Sequence, residues 1–313
     1  MTNIGQFKAS FRSLWAKSSP PLVRKDYDEI VRLTEYLRQI GVEKKAIFIS
    51  ASSRVLNESI VKEAEEKLYG QENQKLNILQ TPDIDSRDFY PLRSLLQAQY
   101  VVIANPFQHH QPPQEQDLIK VVVDAFIDNW DIAKDFQPLP EQFILDKGVV
   151  VSIYQRIRPT YLATTLDTLN LIRDRIQPLP GNEAGWVVIS NPFKNSIWYN
   201  KHETVNIYPT VKSEPTYYLY FGNLAEKIVI DGKMTSANCI GFEGFTLDVS
   251  TINRKGDVIA SQEFKYSANE LIKFPLEISG KNADYLLLEL KGYNQSNDKG
   301  YCSLYIKNMG ISN

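Results

Sequence analysis

Cysteine, methionine and histidine are scarce in this chain of 313 residues, at two, three and three copies. With only Cys239 and Cys302 available, one disulfide is the most that can form, and a cysteine-built metal module or disulfide scaffold is excluded. An excess of charge of either sign is missing too. A formal net charge of -2 and a pI near 6.0 give no general attraction to nucleic acid, and no local basic cluster supplies one. No apolar run reaches the roughly 18 residues that a membrane-spanning helix requires. Residues 1–19 lack the uninterrupted apolar segment of a cleavable signal peptide. The glycine patterns that cradle phosphates or dinucleotides, GxGxxG and GxxxxGK[ST], do not occur, and neither does the GxSxG turn of a nucleophilic serine.

What is present suffices for a core, since 43% of the residues are hydrophobic and the length suits two domains. The most informative stretch is Tyr100 to Pro113, YVVIANPFQHHQPP. Its uniformly apolar start reads as a central strand covered on both faces, of the kind found in a parallel sheet. It ends abruptly in Asn105, Gln108, His109 and His110, while Pro106, Pro112 and Pro113 oppose further pairing. Polar residues in that position lie at the carboxyl edge of the sheet, where open α/β sheets bind ligands.

Periodicity places helices over Lys25 to Ile40, Leu56 to Leu68, Leu92 to Ala98, Gln114 to Asp135 and Thr160 to Ile176. Strands are expected at Ala46 to Ala51 and Leu76 to Leu79, with Ser52 or Ser53 capping the helix that follows the first. Phe143 to Leu145 and Gly148 to Tyr154 read as a hairpin turned by Asp146-Lys147-Gly148 and added at the sheet edge. Residues 20–176 are thus expected to form a three-layer α/β domain with a Rossmann-like, mostly parallel sheet. Before it, Ile4, Phe7, Phe11, Leu14 and Trp15 recur at helical spacing among Lys8, Arg12 and Lys17. Residues 1–19 therefore read as an amphipathic segment that lies on a membrane surface or docks on the domain. Residues 177–185, QPLPGNEAG, read as a linker. From residue 186 to 313 short alternating runs separated by turn residues predict an all-β, jelly-roll-like sandwich.

Two sets of residues are candidates for function. At the ends of the expected parallel strands, Ser52, Asp85, Asp88, Asn105, His109 and His110 can converge, offering carboxylates beside imidazoles for acid-base work or a divalent ion. Their spacing matches no metal signature, so no metal and no cofactor is assigned, and capping or solvated loop positions account for them equally. In the sandwich, strand alternation puts Tyr218 and Tyr220 opposite Tyr217, Leu219 and Phe221. It likewise sets Tyr285 opposite the inward Leu286, Leu288 and Leu290, and Tyr301 and Tyr305 opposite Cys302, Leu304 and Ile306. Tyr218, Tyr220, Tyr285, Tyr301 and Tyr305 then form outward aromatic faces suited to stacking on sugar rings, or to packing on the first domain.

PPLVRKDYDEIVRLTEYLR, IFISASSRVLN, DIDSRDFYP, YVVIANPFQHHQPPQEQ and FILDKGVVVSIYQRIRP, in that order, resemble the soluble C-terminal region of bacterial multi-spanning membrane glycosyltransferases related to the dolichyl-phosphate-mannose protein mannosyltransferases. The likeness covers about Pro20 to Pro159. In that family the transfer chemistry and the polyprenyl-phosphate sugar donor belong to a membrane domain, so the resemblance carries over no catalytic residue. It implies an extracytoplasmic, membrane-associated ectodomain, with residues 4–15 at the bilayer surface; a cytoplasmic location is the alternative. The expected function is non-catalytic recognition of a glycan, the acceptor or the membrane enzyme within a cell-envelope glycosyltransferase system. The alternatives are a metal-dependent enzyme working at the strand ends and a protein-interaction module.

Overall fold

A computed structural model describes residues 24–82, 90–176, 185–193, 202–207, 215–240, 243–267, 270–272, 274–293 and 301–312. The amphipathic segment 1–19, most of the linker, and Asp85 and Asp88 lie outside the described residues.

The N-terminal half begins with α1 (Tyr27–Ile40), whose Ile30, Leu33 and Leu37 are buried at helical spacing. Gly41 follows because the chain turns tightly there: a Cβ at this position would stand 2.7 Å from the Leu37 carbonyl oxygen. Strand β1 (Ala46–Ser50) leads to α2 (Glu58–Tyr69). The cap of α2 is not Ser52 or Ser53 but Asn57, whose side chain accepts from the Ile60 N–H at 2.9 Å. Next come β2 (Asn77–Ile78), α3 (Leu92–Gln97), β3 (Tyr100–Asn105) and α4 (Asp117–Ile127). The helix expected to continue to Asp135 stops at Ile127, because Asn129 adopts φ 55° and a 3-10 turn over Asp131–Asp135 follows. Strands β4 (Phe136–Leu145) and β5 (Val149–Arg156) form a hairpin through Asp146–Gly148, and α5 (Leu162–Arg175) closes the half.

The sheet order is β2-β1-β3-β5-β4. Only β2, β1 and β3 run parallel, and β5 is antiparallel to both β3 and β4. The expected Rossmann-like, mostly parallel sheet is corrected accordingly: two of its five strands are the antiparallel hairpin, which does join at the sheet edge. The physical reason is that an apolar run reports burial on both faces and not the direction of its neighbours. Tyr100, Val102 and Ala104 pack in one cluster with α1 and α2, while Val101 and Ile103 pack in another with α3, α4 and α5.

The C-terminal half contains β6 (Trp186–Ile189), β7 (His202–Ile207), β8 (Thr216–Tyr220), β9 (Lys227–Ile240) and β10 (Gly244–Ile252). It continues with β11 (Val258–Ser267), β12 (Leu271–Ile272), β13 (Leu276–Ser279), β14 (Tyr285–Tyr293) and β15 (Tyr301–Ser312). These strands form two antiparallel sheets, ordered β11-β10-β14-β8-β6 and β12-β9-β15-β7, with β13 pairing β9. Ile228, Ile230 and Ile278 of one sheet meet Tyr218, Phe245, Leu247, Leu286 and Leu288 of the other, which makes the half a sandwich.

The outer face of the β10-β14-β8 sheet is also covered. Val187, Leu219, Phe221, Ile252, Tyr285 and Leu287 join the same apolar cluster as Leu169 and Ile172 of α5. Polar bonds clasp the junction: Tyr285 Oη donates to Asn170 Oδ1 at 2.5 Å, Arg254 Nε donates to the same oxygen at 2.9 Å, and Arg254 pairs with Asp174 at 2.7 Å.

Candidate functional site at the strand ends

The chain leaves β1 and β3 at the same edge, and two hydrogen-bonded loops meet there. Ser53 Oγ accepts from the Val55 N–H at 3.0 Å and donates to Gln108 Oε1 at 2.9 Å. Gln108 in turn donates from Nε2 to the Pro106 carbonyl at 2.7 Å, and its own carbonyl accepts from the Ser52 N–H at 2.9 Å. Both Ser53 and Gln108 are buried, so each bond replaces one that water would otherwise make. Arg24 braces the same turn, donating to the carbonyls of Arg54 and Val55 while its guanidinium is held by Asp26 at 2.9 Å.

On this support sits a more open pair. Ser52 Oγ lies 2.8 Å from His110 Nδ1, and the Ser52 carbonyl lies 3.1 Å from the same nitrogen. A carbonyl only accepts, so both contacts are hydrogen bonds together when the proton sits on Nδ1. Nδ1 is then a donor with no in-plane lone pair to take the serine proton, which is what a nucleophile-and-base pair would require. Beside them His109 is exposed, stacks on Phe107 with centroids 5.3 Å apart, and bonds through Nδ1 to the Gln111 carbonyl. Asn105 is exposed at the end of β3. Gln116, fully buried at the start of α4, takes the His110 N–H on Oε1 at 3.4 Å, while its Nε2 makes no hydrogen bond among the described residues.

The strand-end set is therefore brought together for Ser52 and His110, with Asn105 and His109 nearby in the same loop. Asp85 and Asp88 fall outside the described residues. Among the described residues no three histidine, cysteine or acidic side chains gather as a metal site. The sequence places Gln108 and Ser53 at the strand ends without revealing that they support the site from beneath, and it does not single out Gln116. The only visible signal was amide and hydroxyl residues standing where the backbone leaves a strand.

Two of the five candidate tyrosines are corrected. Tyr218 and Tyr285 are 0% exposed. The expected alternation is present, but Tyr218 faces the sandwich interior and Tyr285 faces α5, since both faces of their sheet are covered. Tyr220 is half-buried and packs on Trp186 at a centroid distance of 5.3 Å; burial raises its phenol pKa. Tyr301 and Tyr305 lie on β15, and their side chains are outside the described ones. No helix among the described residues is long and apolar enough to cross a membrane.

No protein-family model and no curated protein matches this chain. Among solved structures it is similar to the infectious bursal disease virus VP2 subviral particle, with 9% identity and a TM-score of 0.28 over 39% of this chain and 32% of that one. It is similar to a structure of CBM4 (9% identity, TM-score 0.30, 42% of this chain and 96% of that one). The third is an arabinose-bound MgGH51 α-L-arabinofuranosidase (10% identity, TM-score 0.25, 57% of this chain and 23% of that one). This chain thus spans about a third of the capsid protein and about a quarter of the arabinofuranosidase, and TM-scores of this size assign neither a fold family nor a ligand.

Proposed function

We propose that this chain is a non-catalytic recognition region of a cell-envelope glycosyltransferase system, and that the loops after β1 and β3 bind the sugar of a glycan or of a polyprenyl-linked donor. The observation that carries this reading is the Ser52–His110 pair, a half-buried hydroxyl beside an exposed imidazole at the carboxyl edge of the parallel strands, fixed by a buried layer beneath it. A hydroxyl and an imidazole held in place before the ligand arrives lose little freedom on binding, and a sugar offers hydroxyls that donate and accept in turn. The resemblance of residues 20–159 to membrane glycosyltransferase ectodomains supports the choice of ligand, an extracytoplasmic location, and a bilayer surface as the partner of residues 4–15.

The test is titration of the purified chain against a broad glycan array and short-chain polyprenyl-phosphate sugars. A specific ligand should emerge, and Ser52→Ala or His110→Ala should each weaken it about tenfold, the effect of losing roughly one hydrogen bond. Flat titrations throughout, or variants that bind as the parent does, overturn the proposal. Covalent labelling of Ser52 by a fluorophosphonate would show a serine nucleophile, which a proton on His110 Nδ1 opposes, and would overturn the non-catalytic reading.

A further inference from the structure

Beneath the Ser52–His110 pair one residue joins the two loops. Gln108 meets the β1 loop twice, through its carbonyl to the Ser52 N–H and through Oε1 to the Ser53 hydroxyl, and it ties its own loop together through Nε2 to the Pro106 carbonyl. Two residues further on stands His110. Replacing the amide by an apolar group would leave the buried Ser53 hydroxyl without its acceptor and the Pro106 carbonyl without its donor, and the loops would keep only the Ser52 N–H to Gln108 carbonyl bond to hold their register. Ser52 presents two oxygens to a single imidazole nitrogen, so even a small slip of one loop exchanges a well-placed Nδ1–H donor for a poorly placed one.

We infer that Gln108 is the positioning residue of this site: without touching the ligand, it holds the β3 loop in the register that keeps the His110 proton on Nδ1, facing Ser52. The affinity consequence rests on the proposed sugar-binding reading, whereas the tautomer consequence does not.

The experiment is long-range proton–nitrogen correlation NMR of the full chain with labelled histidine, at alkaline pH. The wild-type His110 ring should show the pattern of a proton on Nδ1, which is the minority form of free imidazole side chains in water. In Gln108→Leu that pattern should shift toward a proton on Nε2, and in Ser53→Ala it should shift the same way by less. Gln108→Glu keeps an acceptor for the Ser53 hydroxyl but at alkaline pH sets a carboxylate against the Pro106 carbonyl, and should not restore the wild-type pattern. If a sugar ligand has been found, Gln108→Leu should weaken it about tenfold.

A wild-type ring protonated on Nε2 overturns the inference. So does an unchanged His110 pattern in variants whose amide spectra remain native. Should Gln108→Leu fail to fold, Ser53→Ala decides the matter, because it cuts the same link from the other loop. A tautomer that responds in a chain with no sugar ligand would refute the proposed function and leave the positioning role standing.

Discussion

Arg156 is 2% exposed, and neutral oxygens hold most of its guanidinium. Nε donates to the Ala98 carbonyl at 2.8 Å, one terminal nitrogen donates to the Leu95 carbonyl at 2.8 Å, and the other donates to Thr160 Oγ1 at 2.7 Å. The Phe136 ring lies 4.2 Å beneath the plane. Burial, partly offset by the charge of Asp135, pushes its pKa down to about 10, so the group stays charged at neutral pH. A lysine ammonium cannot reach three divergent acceptors from one point, and Arg156→Lys would leave buried carbonyls unmatched. The expected loss is about 2–4 kcal/mol in urea unfolding at pH 7, and a value under about 0.5 kcal/mol would show that the fork is dispensable. Nothing in VVVSIYQR marks its last residue as an inward cation, because strand alternation orders residues into two faces without saying which face is wet. The same limit misplaced Tyr218 and Tyr285. Their alternation was readable in the sequence; that helices from another part of the chain cover the second face was not.

Most elements were legible because each carries a local signal. Leu33 and Leu37 of α1, or Leu118, Val122 and Phe126 of α4, recur at helical steps because one stripe of each helix meets the sheet. What periodicity lacks is direction and pairing: the hairpin of β4 and β5 and its place at the sheet edge are legible, while the strand it pairs with, β3, is not. The position of the candidate site was legible in the abrupt change from Ala104 to Asn105, but its buried support depends on contacts between residues more than 50 apart in sequence. Capping shows how close competing local signals lie. Ser52, Ser53 and Asn57 all precede α2, and the chain uses Asn57 because Ser53 is committed to its own turn and to Gln108. Asn57 also donates to the Ser53 carbonyl at 2.9 Å, so the cap and the site share a residue. Asn57→Ala should lower stability by about 1 kcal/mol and raise amide exchange in the first turn of α2. An unchanged exchange pattern there would mean that tertiary contacts alone hold the helix start.

At the scale of the molecule, the two halves are joined by one apolar cluster and a polar clasp, and they are expected to unfold together. Calorimetry should show a single transition, and Asn170→Ala, which removes the acceptor shared by Tyr285 and Arg254, should lower its midpoint without splitting it. Two resolved transitions in the parent chain would contradict this. Alkaline pH gives a separate test of how tightly the cores close. Burial is the first cause of a raised pKa in Tyr36, Tyr100 and Tyr154 of the N-terminal half and in Tyr220, Tyr266 and Tyr285 of the C-terminal half. For Tyr285 burial prevails although Arg173 and Arg254 pull the other way. A phenol with a raised pKa holds its proton in the folded chain at a pH where the unfolded chain has lost it. Each such tyrosine therefore contributes stability that is complete below the ordinary value of about 10 and is lost as pH rises through the folded one. The midpoint temperature should be insensitive to these groups from pH 7 to about 10 and then fall steeply, with tyrosinate absorbance appearing together with unfolding. Absorbance that develops at an ordinary phenol pKa while the protein stays folded would mean that water already reaches these rings.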